Sequence, residues 1–424
     1  MSVSAPDSPG ALGRVGRSLA AHWRSLRAHP LLNPTGLVEE RAERVGHPVD
    51  EDSGPHLREA IEWLIRAQDA TPDDGFARGY SIMFSPYFRS RGWQPSYPET
   101  TGYIIPTLLE AALHFRRPDL VDRALRAARW ESGVQLETGA VQGGVIGEGS
   151  SPAVFNTGQV MFGWLAAFEH TGHTLFAESA RRAGRYLVSV LEPDGYWRKG
   201  NSRFALADAT LYNARVAWAL AEAGARLGEP EFTSAAGKNL HAVVDLQHEN
   251  GWFPNCCLTD ARRPLLHTIA YTVRGLVEGG RVLEDQRLLS AGARTADRLL
   301  GLVREDGWMA GRFHADWSAA VAWSCLTGEA QMANNWLRLY TITGDAKWLA
   351  PVPRVLRFLK STQNRTSRDP GLRGGIKGSA PMSGEYGRYE TLNWATKYFV
   401  DALIRHQQVE AGSAGARAAR YALA

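Results

Sequence analysis

Apolar residues recur along this chain at the helical period, in segments of two alternating kinds. The first kind is amphipathic: Leu57, Ala60, Ile61, Leu64 and Ile65 form one stripe that ends at Gln68. The second is apolar on nearly every side, as in 100–115, where Ile104, Ile105, Leu108, Leu109 and Leu113 crowd together. A single stripe suits a helix on the outside of a domain, whereas all-round apolar character requires burial between neighbours. The alternation continues downstream. Amphipathic segments at 236–246 and 289–303 are interleaved with more buried ones at 156–168, 209–227, 266–282, 330–342 and 391–404.

Between the members of each pair stands a turn rich in glycine and aromatic residues. These turns are Asp73-Asp74-Gly75-Phe76, Gly143-Gly144-Val145, Asp194-Gly195-Tyr196-Trp197, Asn250-Gly251-Trp252-Phe253, Asp306-Gly307-Trp308 and Gly374-Gly375-Ile376. They recur every ~50–70 residues, the spacing of a repeated supersecondary unit. Glycine permits the tight reversal and an adjacent aromatic covers the end of the core. A stack of such hairpins buries its inner helices only if it is capped or closes on itself. Six hairpins therefore predict an all-α fold, an (α/α)6 toroid over 55–408, with an N-terminal arm at 1–54 and a frayed tail at 409–424. Pro30, Pro34 and Pro48 interrupt any long helix in the arm.

Composition narrows the class. The 424 residues carry a net charge of only +4, and no Lys/Arg run is interleaved with aromatics, which argues against nucleic acid as a partner. No segment reaches the ~18 consecutive apolar residues of a membrane span, and no secretory hydrophobic run is present. An amphipathic segment at 12–26 offers at most a membrane-surface contact. Three cysteines, two of them adjacent (Cys256 and Cys257), fit a reducing compartment and a cytoplasmic location.

The predicted starts of the inner helices are unusually polar. They carry Glu99, Thr101 and Tyr103; Asn156 and Gln159; Asp208, Tyr212 and Arg215; His267, Tyr271 and Arg274; Glu329, Gln331 and Asn334; and Glu390, Asn393 and Lys397. In a closed ring these positions converge on one rim, where helix N-termini add positive potential suited to hydroxyl- and carboxylate-bearing ligands. Several have simpler roles open to them: Thr101, Asn156 and Asp208 suit N-caps, Glu99 suits a first helical turn, and His267 suits a hydrogen-bonded core.

Two chemistries fit this rim. Glu99 and Glu390, brought together because the first and last hairpins are neighbours in a closed ring, are the first pair for glycosidic hydrolysis by two carboxylates, with Glu329 and Asp208 in reserve. Alternatively, His267 or Tyr271 abstracts a proton beside a uronate carboxylate held by Arg215, Arg274 or Asn156, giving a lyase or an epimerase. Tyr103, Asn156, Gln159, Tyr212, Arg215, Trp308, Glu329 and Asn393 are the expected substrate-binding residues, and the partner is a glycan. No motif calls for a cofactor. Cys256, Cys257, Cys325 and His267 have the residue types of a zinc site such as that of the toroidal lanthionine cyclases, yet adjacent cysteines lack the CxxC spacing, and no metal is expected.

With the hairpins placed, the chain resembles the six-hairpin glycosidase-like superfamily, which includes polysaccharide lyases and sugar epimerases. Three segments also look like uncharacterised proteins encoded in exopolysaccharide biosynthesis clusters. They are Tyr97-Pro98-Glu99-Thr100-Thr101-Gly102-Tyr103-Ile104-Ile105-Pro106-Thr107; Cys325-Leu326-Thr327-Gly328-Glu329-Ala330-Gln331 continuing to Asn335-Trp336-Leu337-Arg338-Leu339-Tyr340; and Gly374-Gly375-Ile376-Lys377-Gly378-Ser379 with Asn393-Trp394-Ala395. The resemblance implies a toroid and a glycan context, and it brings no catalytic assignment. A terpenoid-cyclase-like toroid is a rival, since 247–252 resembles one of that family's Gln-to-Trp repeats, but the chain has no DxDD motif. A catalytically silent glycan-binding component is a third reading.

Overall fold

The computed structural model describes residues 32–201, 205, 206, 208 and 210–412. The amphipathic segment at 12–26 and most of the expected tail lie outside them. Twelve of the helices pair as the sequence predicts. The outer set is α2 (Gly54–Asp69), α4 (Pro118–Val134), α6 (Thr174–Val190), α8 (Pro230–Asp245), α10 (Gln286–Leu300) and α12 (Val352–Thr362). The inner set is α3 (Pro98–Phe115), α5 (Val154–Thr171), α7 (Ala214–Leu227), α9 (Leu266–Val282), α11 (Leu326–Thr343) and α13 (Asn393–Glu410). Each inner helix packs on the next, and α13 packs on α11, α3 and α2, so the ring closes into an (α/α)6 toroid. The inner helices are buried nearly throughout, while the outer ones bury one face.

The glycine turns explain how the outer ring is held. A Cβ on Gly75 would lie 2.6 Å from the Trp130 ring of α4, one on Gly139 would lie 2.4 Å from the Arg182 carbonyl of α6, and one on Gly195 would lie 2.9 Å from the Lys238 carbonyl of α8. The series continues with Gly251 against α10 at Arg294, Gly307 against α12 at Arg354, and Gly374 against α2 at Glu59. Each turn therefore docks bare backbone onto the following outer helix, and the sixth docks onto the first. In the second hairpin this place belongs to Gly139, with φ 87°, rather than to the Gly143-Gly144 pair expected from sequence.

A second repeated device ties each turn to its inner helix. The fourth residue of α3, α5 and α13 is a threonine (Thr101, Thr157, Thr396) whose hydroxyl accepts from the turn's backbone N–H at Phe76, Val141 and Ile376. In α11 the same position is Glu329, whose Oε1 accepts from Met309 N at 2.8 Å and from the Ser324 hydroxyl at 2.5 Å.

Short strands interrupt the helical plan on one face. β1 (Gly79–Ser85) pairs antiparallel with β2 (Ser90–Trp93) on one side and with β5 (Glu390–Leu392) on the other, in the register Ser81 to Glu390. β3 (Ser324–Cys325) pairs with β4 (Ser379–Ala380). The three-stranded sheet thus joins the first hairpin to the last. Asn393 strengthens the junction, its Nδ2 donating to the Ala77 carbonyl (2.9 Å) and to Thr100 Oγ1 (2.8 Å).

Ahead of the ring, α1 (Pro34–Val45) lies on β1, with Gly36 against Met83. Its buried Glu39 meets Lys377 Nζ at 2.7 Å, His47 Nε2 at 2.9 Å and Asn364 Nδ2 at 2.6 Å. Lys377, fully buried, also donates to the Thr362 carbonyl at 2.7 Å. The arm therefore includes a docked helix. Deeper in the ring, Glu278 accepts from Arg338 (2.8 Å) and pairs with Arg274 (3.0 Å) and Arg281 (2.9 Å), which together hold its carboxyl well below the usual range despite complete burial.

Gly307 combines a positive φ of 88° with a Cβ position 2.1 Å from the Arg354 carbonyl. Gly307→Ala is expected to destabilise the protein by about 2–4 kcal/mol, from left-handed strain and displacement of α12. Denaturant unfolding checks it, and wild-type stability would mean that this contact does not hold the ring.

Candidate active site

The N-terminal ends of α3, α5 and α9, the β1–β2 hairpin, and the segment entering α13 surround a cavity of about 360 Å³. That is within the range of small-molecule sites, which are mostly apolar with a few placed polar groups. Aromatic rings form the walls: Tyr97, Tyr103, Phe155, Tyr271, Tyr386 and Trp394, with Phe88 and Tyr87 on the hairpin side. The polar functions include Arg78, Glu99, Asn156, His267 and Glu390.

Glu99 is the second residue of α3. Pro98 fixes the first turn after extended Tyr97, so the Glu99 carboxyl projects from a helix start into the cavity. Its hydrogen-bond partner there is the Tyr97 hydroxyl, which donates to Oε2. Burial raises the carboxyl to about 7, against the lowering effects of the Tyr97 bond and the Arg78 and Arg215 charges. Glu99 is thus a carboxylic acid poised to hold or release a proton near neutrality.

Glu390 lines the same cavity, so the two carboxylates expected as a pair share one site. Glu390 sits on β5 instead of an inner-helix start, because the sheet takes up residues 390–392 before α13 begins. Both its oxygens are engaged: Oε2 accepts from Arg78 Nη1 at 3.0 Å and Oε1 from Gln94 Nε2 at 2.8 Å. Gln94 Oε1 in turn accepts from Arg78 at 2.7 Å, and the guanidinium lies 4.9 Å from the Trp394 ring centroid. This clamp makes Glu390 an anchor for Arg78 and leaves it little freedom as a nucleophile or base.

His267 and Tyr271, one turn apart on α9, stack with centroids 4.4 Å apart, and Tyr386 covers the imidazole at 5.3 Å. Nδ1 of His267 is 2.9 Å from Gln331 Oε1, which fixes the proton on Nδ1 and leaves a lone pair on Nε2. Burial lowers this imidazole to about 4, with Gln331 opposing and Arg215 contributing, so it stays neutral. The Tyr271 hydroxyl is pushed far up by burial and by neighbouring Tyr398 and Glu99. The phenols of Tyr103, Tyr271 and Tyr398 cluster without a well-formed hydrogen bond among them.

Asn156 lines the wall, with Nδ2 held by the Gln142 carbonyl at 2.9 Å. Other expected binding residues lie elsewhere. Gln159 and Arg215 are buried beneath the cavity and bond each other, Nε to Oε1 at 2.6 Å, since a guanidinium enclosed by rings needs a local acceptor. Tyr212 is buried and donates to Asn201 at 2.8 Å. Glu329 is occupied by the turn N–H described above, and Asn393 by the hairpin junction. Trp308 stacks under Arg304 at 5.1 Å, away from the cavity, where it covers a turn. Arg274 pairs with Glu278 and Arg215 with Gln159, so neither pairs with Glu99 or Glu390. Asp208 is exposed in a turn. The charge partner that sequence reasoning missed is Arg78, which stands between the first glycine turn and the segment at 100–115, where no periodic element is predicted. Trp394 and Tyr386 were missed for a different reason, as aromatics near a rim where such residues more often cover the end of the core than meet a ligand.

The three thiols do not gather around the His267 imidazole. Cys256 Sγ lies 3.0 Å from Thr272 Oγ1, Cys257 Sγ lies 3.9 Å from Arg312 Nη1, and the Cys325 thiol faces the backbone N–H groups of Gly328 and His267. Among the described residues no three His, Cys, Asp or Glu side chains are grouped to hold a metal, and no helix is long and apolar enough to cross a membrane.

No protein-family model and no curated protein matches the sequence. Solved structures do. An unsaturated glucuronyl hydrolase specific for heparin aligns with a TM-score of 0.66 at 15% identity, covering 85% of this chain and 98% of its own. The cellobiose 2-epimerase from Bacillus thermoamylovorans aligns with a TM-score of 0.63 at 10% identity, covering 82% and 96%. A sugar epimerase from a ruminal bacterium gives 0.66 at 14% identity, also covering 82% and 96%. The chain has the six-hairpin (α/α)6 toroid fold that these structures share.

Proposed function

We propose that this protein is a carbohydrate-active enzyme that takes the end of a glycan into the aromatic cavity and hydrolyses a glycosidic bond, with Glu99 as general acid. The observation that carries the reading is Glu99 itself: a buried carboxyl raised to about 7, facing a cavity wide enough for a sugar ring. A group of that acidity protonates a leaving oxygen at neutral pH and recovers the proton from water. Arg78 and Tyr97 line the cavity beside the acid and orient the sugar ring, and the aromatic walls exclude bulk water. Glu390 supports this chemistry by fixing Arg78, which replaces the freely acting second carboxylate of the sequence-based expectation. That solved structures of similar fold include a glucuronyl hydrolase supports a glycan substrate. A reducing cytoplasm and polysaccharide metabolism fit the three unpaired thiols and the resemblance to exopolysaccharide-cluster proteins.

One observation favours epimerisation as the second reading. His267 offers a neutral imidazole with a lone pair on Nε2 in the same cavity as protonated Glu99, which is a base and an acid on one substrate. The epimerase structures among the fold relatives give that reading context.

Turnover of neutral and acidic oligosaccharides in water labelled with heavy oxygen and deuterium separates the two. Hydrolysis places heavy oxygen at the new reducing end, and epimerisation places deuterium on a sugar carbon of an intact chain. Glu99→Gln is expected to lower kcat by about 10²–10⁴ under either reading, while His267→Ala matters chiefly for the second. Wild-type turnover in Glu99→Gln would remove Glu99 from the chemistry.

Hydrolysis needs Glu99 protonated, so kcat/KM is expected to fall as pH rises through about 7. Folding stability follows the same sign. The folded carboxyl titrates above its unfolded value of 4.5, so the stability it contributes is complete below pH 4.5 and lost as pH rises through 7. Glu99→Gln escapes that loss, on the order of 3 kcal/mol, and should melt higher than wild type at pH 8 with a smaller difference at pH 5. An equal difference at both pH values would contradict the raised acidity constant.

A further inference from the structure

Beneath the catalytic cavity, separated from it by the Tyr103, Tyr271 and Tyr398 rings, a second and much smaller cavity lies on the axis of the toroid. It is lined by Arg215, Ala270, Arg274, Gln331, Asn334, Asn335 and Tyr398, leaves about 10 Å³ for the centre of a water-sized sphere to move in, and thus accepts a single small guest. All its polar lining residues are at least nine-tenths buried.

The lining is dominated by donors. Arg215 uses Nε on Gln159 and leaves Nη2 without a hydrogen bond, and five aromatic rings stand within 5.0–5.9 Å of its guanidinium carbon. Arg274 leaves Nε and Nη1 unbonded, and its Nη2 meets Glu278 at 3.0 Å without hydrogen-bond geometry. The Tyr398 hydroxyl is unbonded too. Two of the acceptors nearby are spent: Glu278 serves Arg338 and Arg281, and Asn334 Oδ1 takes Arg405 Nη1 at 3.3 Å. Both Asn334 Nδ2 and Asn335 Nδ2 already donate to backbone carbonyls.

We propose that this cavity is a binding site for a monatomic anion, chloride in the cell, held between the guanidinium groups of Arg215 and Arg274. A water molecule has two lone pairs and no net charge, so it satisfies two of the four free donors and leaves Arg215 without a counter-charge and Arg274 sharing the single charge of Glu278 with Arg338 and Arg281. A chloride ion accepts from all four. It also relieves the repulsion among Arg215, Arg274, Arg338 and Arg405, which together with burial lowers the Arg274 guanidinium to about 9. Polyatomic oxyanions are too large for the space. Because Gln331 lines the site and also holds His267 Nδ1, the ion sits one side chain away from the imidazole that faces the substrate cavity. The assignment stands independently of the reaction the upper cavity performs.

The test uses full-length protein dialysed into sodium gluconate, then titrated with sodium chloride or sodium bromide at constant ionic strength. Saturable Tm rises of about 2–4 °C are expected in both halides and not in sulfate. Crystals grown in bromide should show an anomalous peak between the two guanidinium groups. In Arg274→Gln, where Glu278 keeps Arg338 and Arg281, the halide-dependent rise should vanish; a Tm rise that persists unchanged there would place the ion elsewhere and overturn the proposal. Arg215→Gln provides the second variant if Arg274→Gln fails to fold, with the same expectation. Superimposable melting curves in chloride and gluconate, with no anomalous peak, would equally overturn it.

Discussion

The architecture depends on backbone meeting backbone between neighbouring outer helices. At Gly139, Gly195, Gly307 and Gly374 the space a Cβ would take is filled by a carbonyl of the next helix, and at Gly374 that next helix is the first one. A side chain at these points would push two helices apart, and six small displacements of the same sense would open the ring. Closure then fixes what the inner helices can do. Their apolar faces are consumed by their neighbours, so polar residues survive only at their N-terminal ends and along the axis, where no neighbour fills the space.

Those two polar zones are electrostatically different. At the upper end, burial acts on isolated groups: Glu99 is raised, His267 is lowered, and both approach neutrality in charge, which suits proton transfer in an aromatic cavity. On the axis, burial acts on an array of opposite charges, where Glu278 among three arginines stays ionised; where α1 docks outside the ring, Glu39 beside Lys377 does the same, its carboxyl held at about 2. The same physical penalty therefore produces reactive groups where partners are few and rigid struts where they are many.

Most of the fold is legible in the sequence because helical periodicity and glycine turns report local requirements directly. The segment 266–282 is predicted and observed with identical bounds, and 100–115 differs by two residues. The paired strands are not legible in this way: β1 and β5 are more than 300 residues apart, and two- or three-residue strands carry no period. That is why Glu390 reads as a helix start and Arg78 as loop. Placing Glu99, Tyr103, Asn156, His267 and Tyr271 at the rim requires only the ring. Telling Glu329 from Glu99 requires more, since both stand in the first turn of an inner helix. Only the turn N–H at Met309 shows that Glu329 takes the place threonine holds in three other hairpins.

The sheet that joins β1 to β5 gives the molecule an order of events. Arg78 and Glu99 belong to the first hairpin, Glu390 and Trp394 to the last, and His267 to the middle, so no contiguous half of the chain contains a usable cavity. During synthesis the first four hairpins can stack as they emerge, as repeat units do, yet Glu99 has no opposing wall until residue 394 has left the ribosome and folded back. The cavity of this molecule is a property of the finished circle, and a partly made chain has the residues of the site without the site.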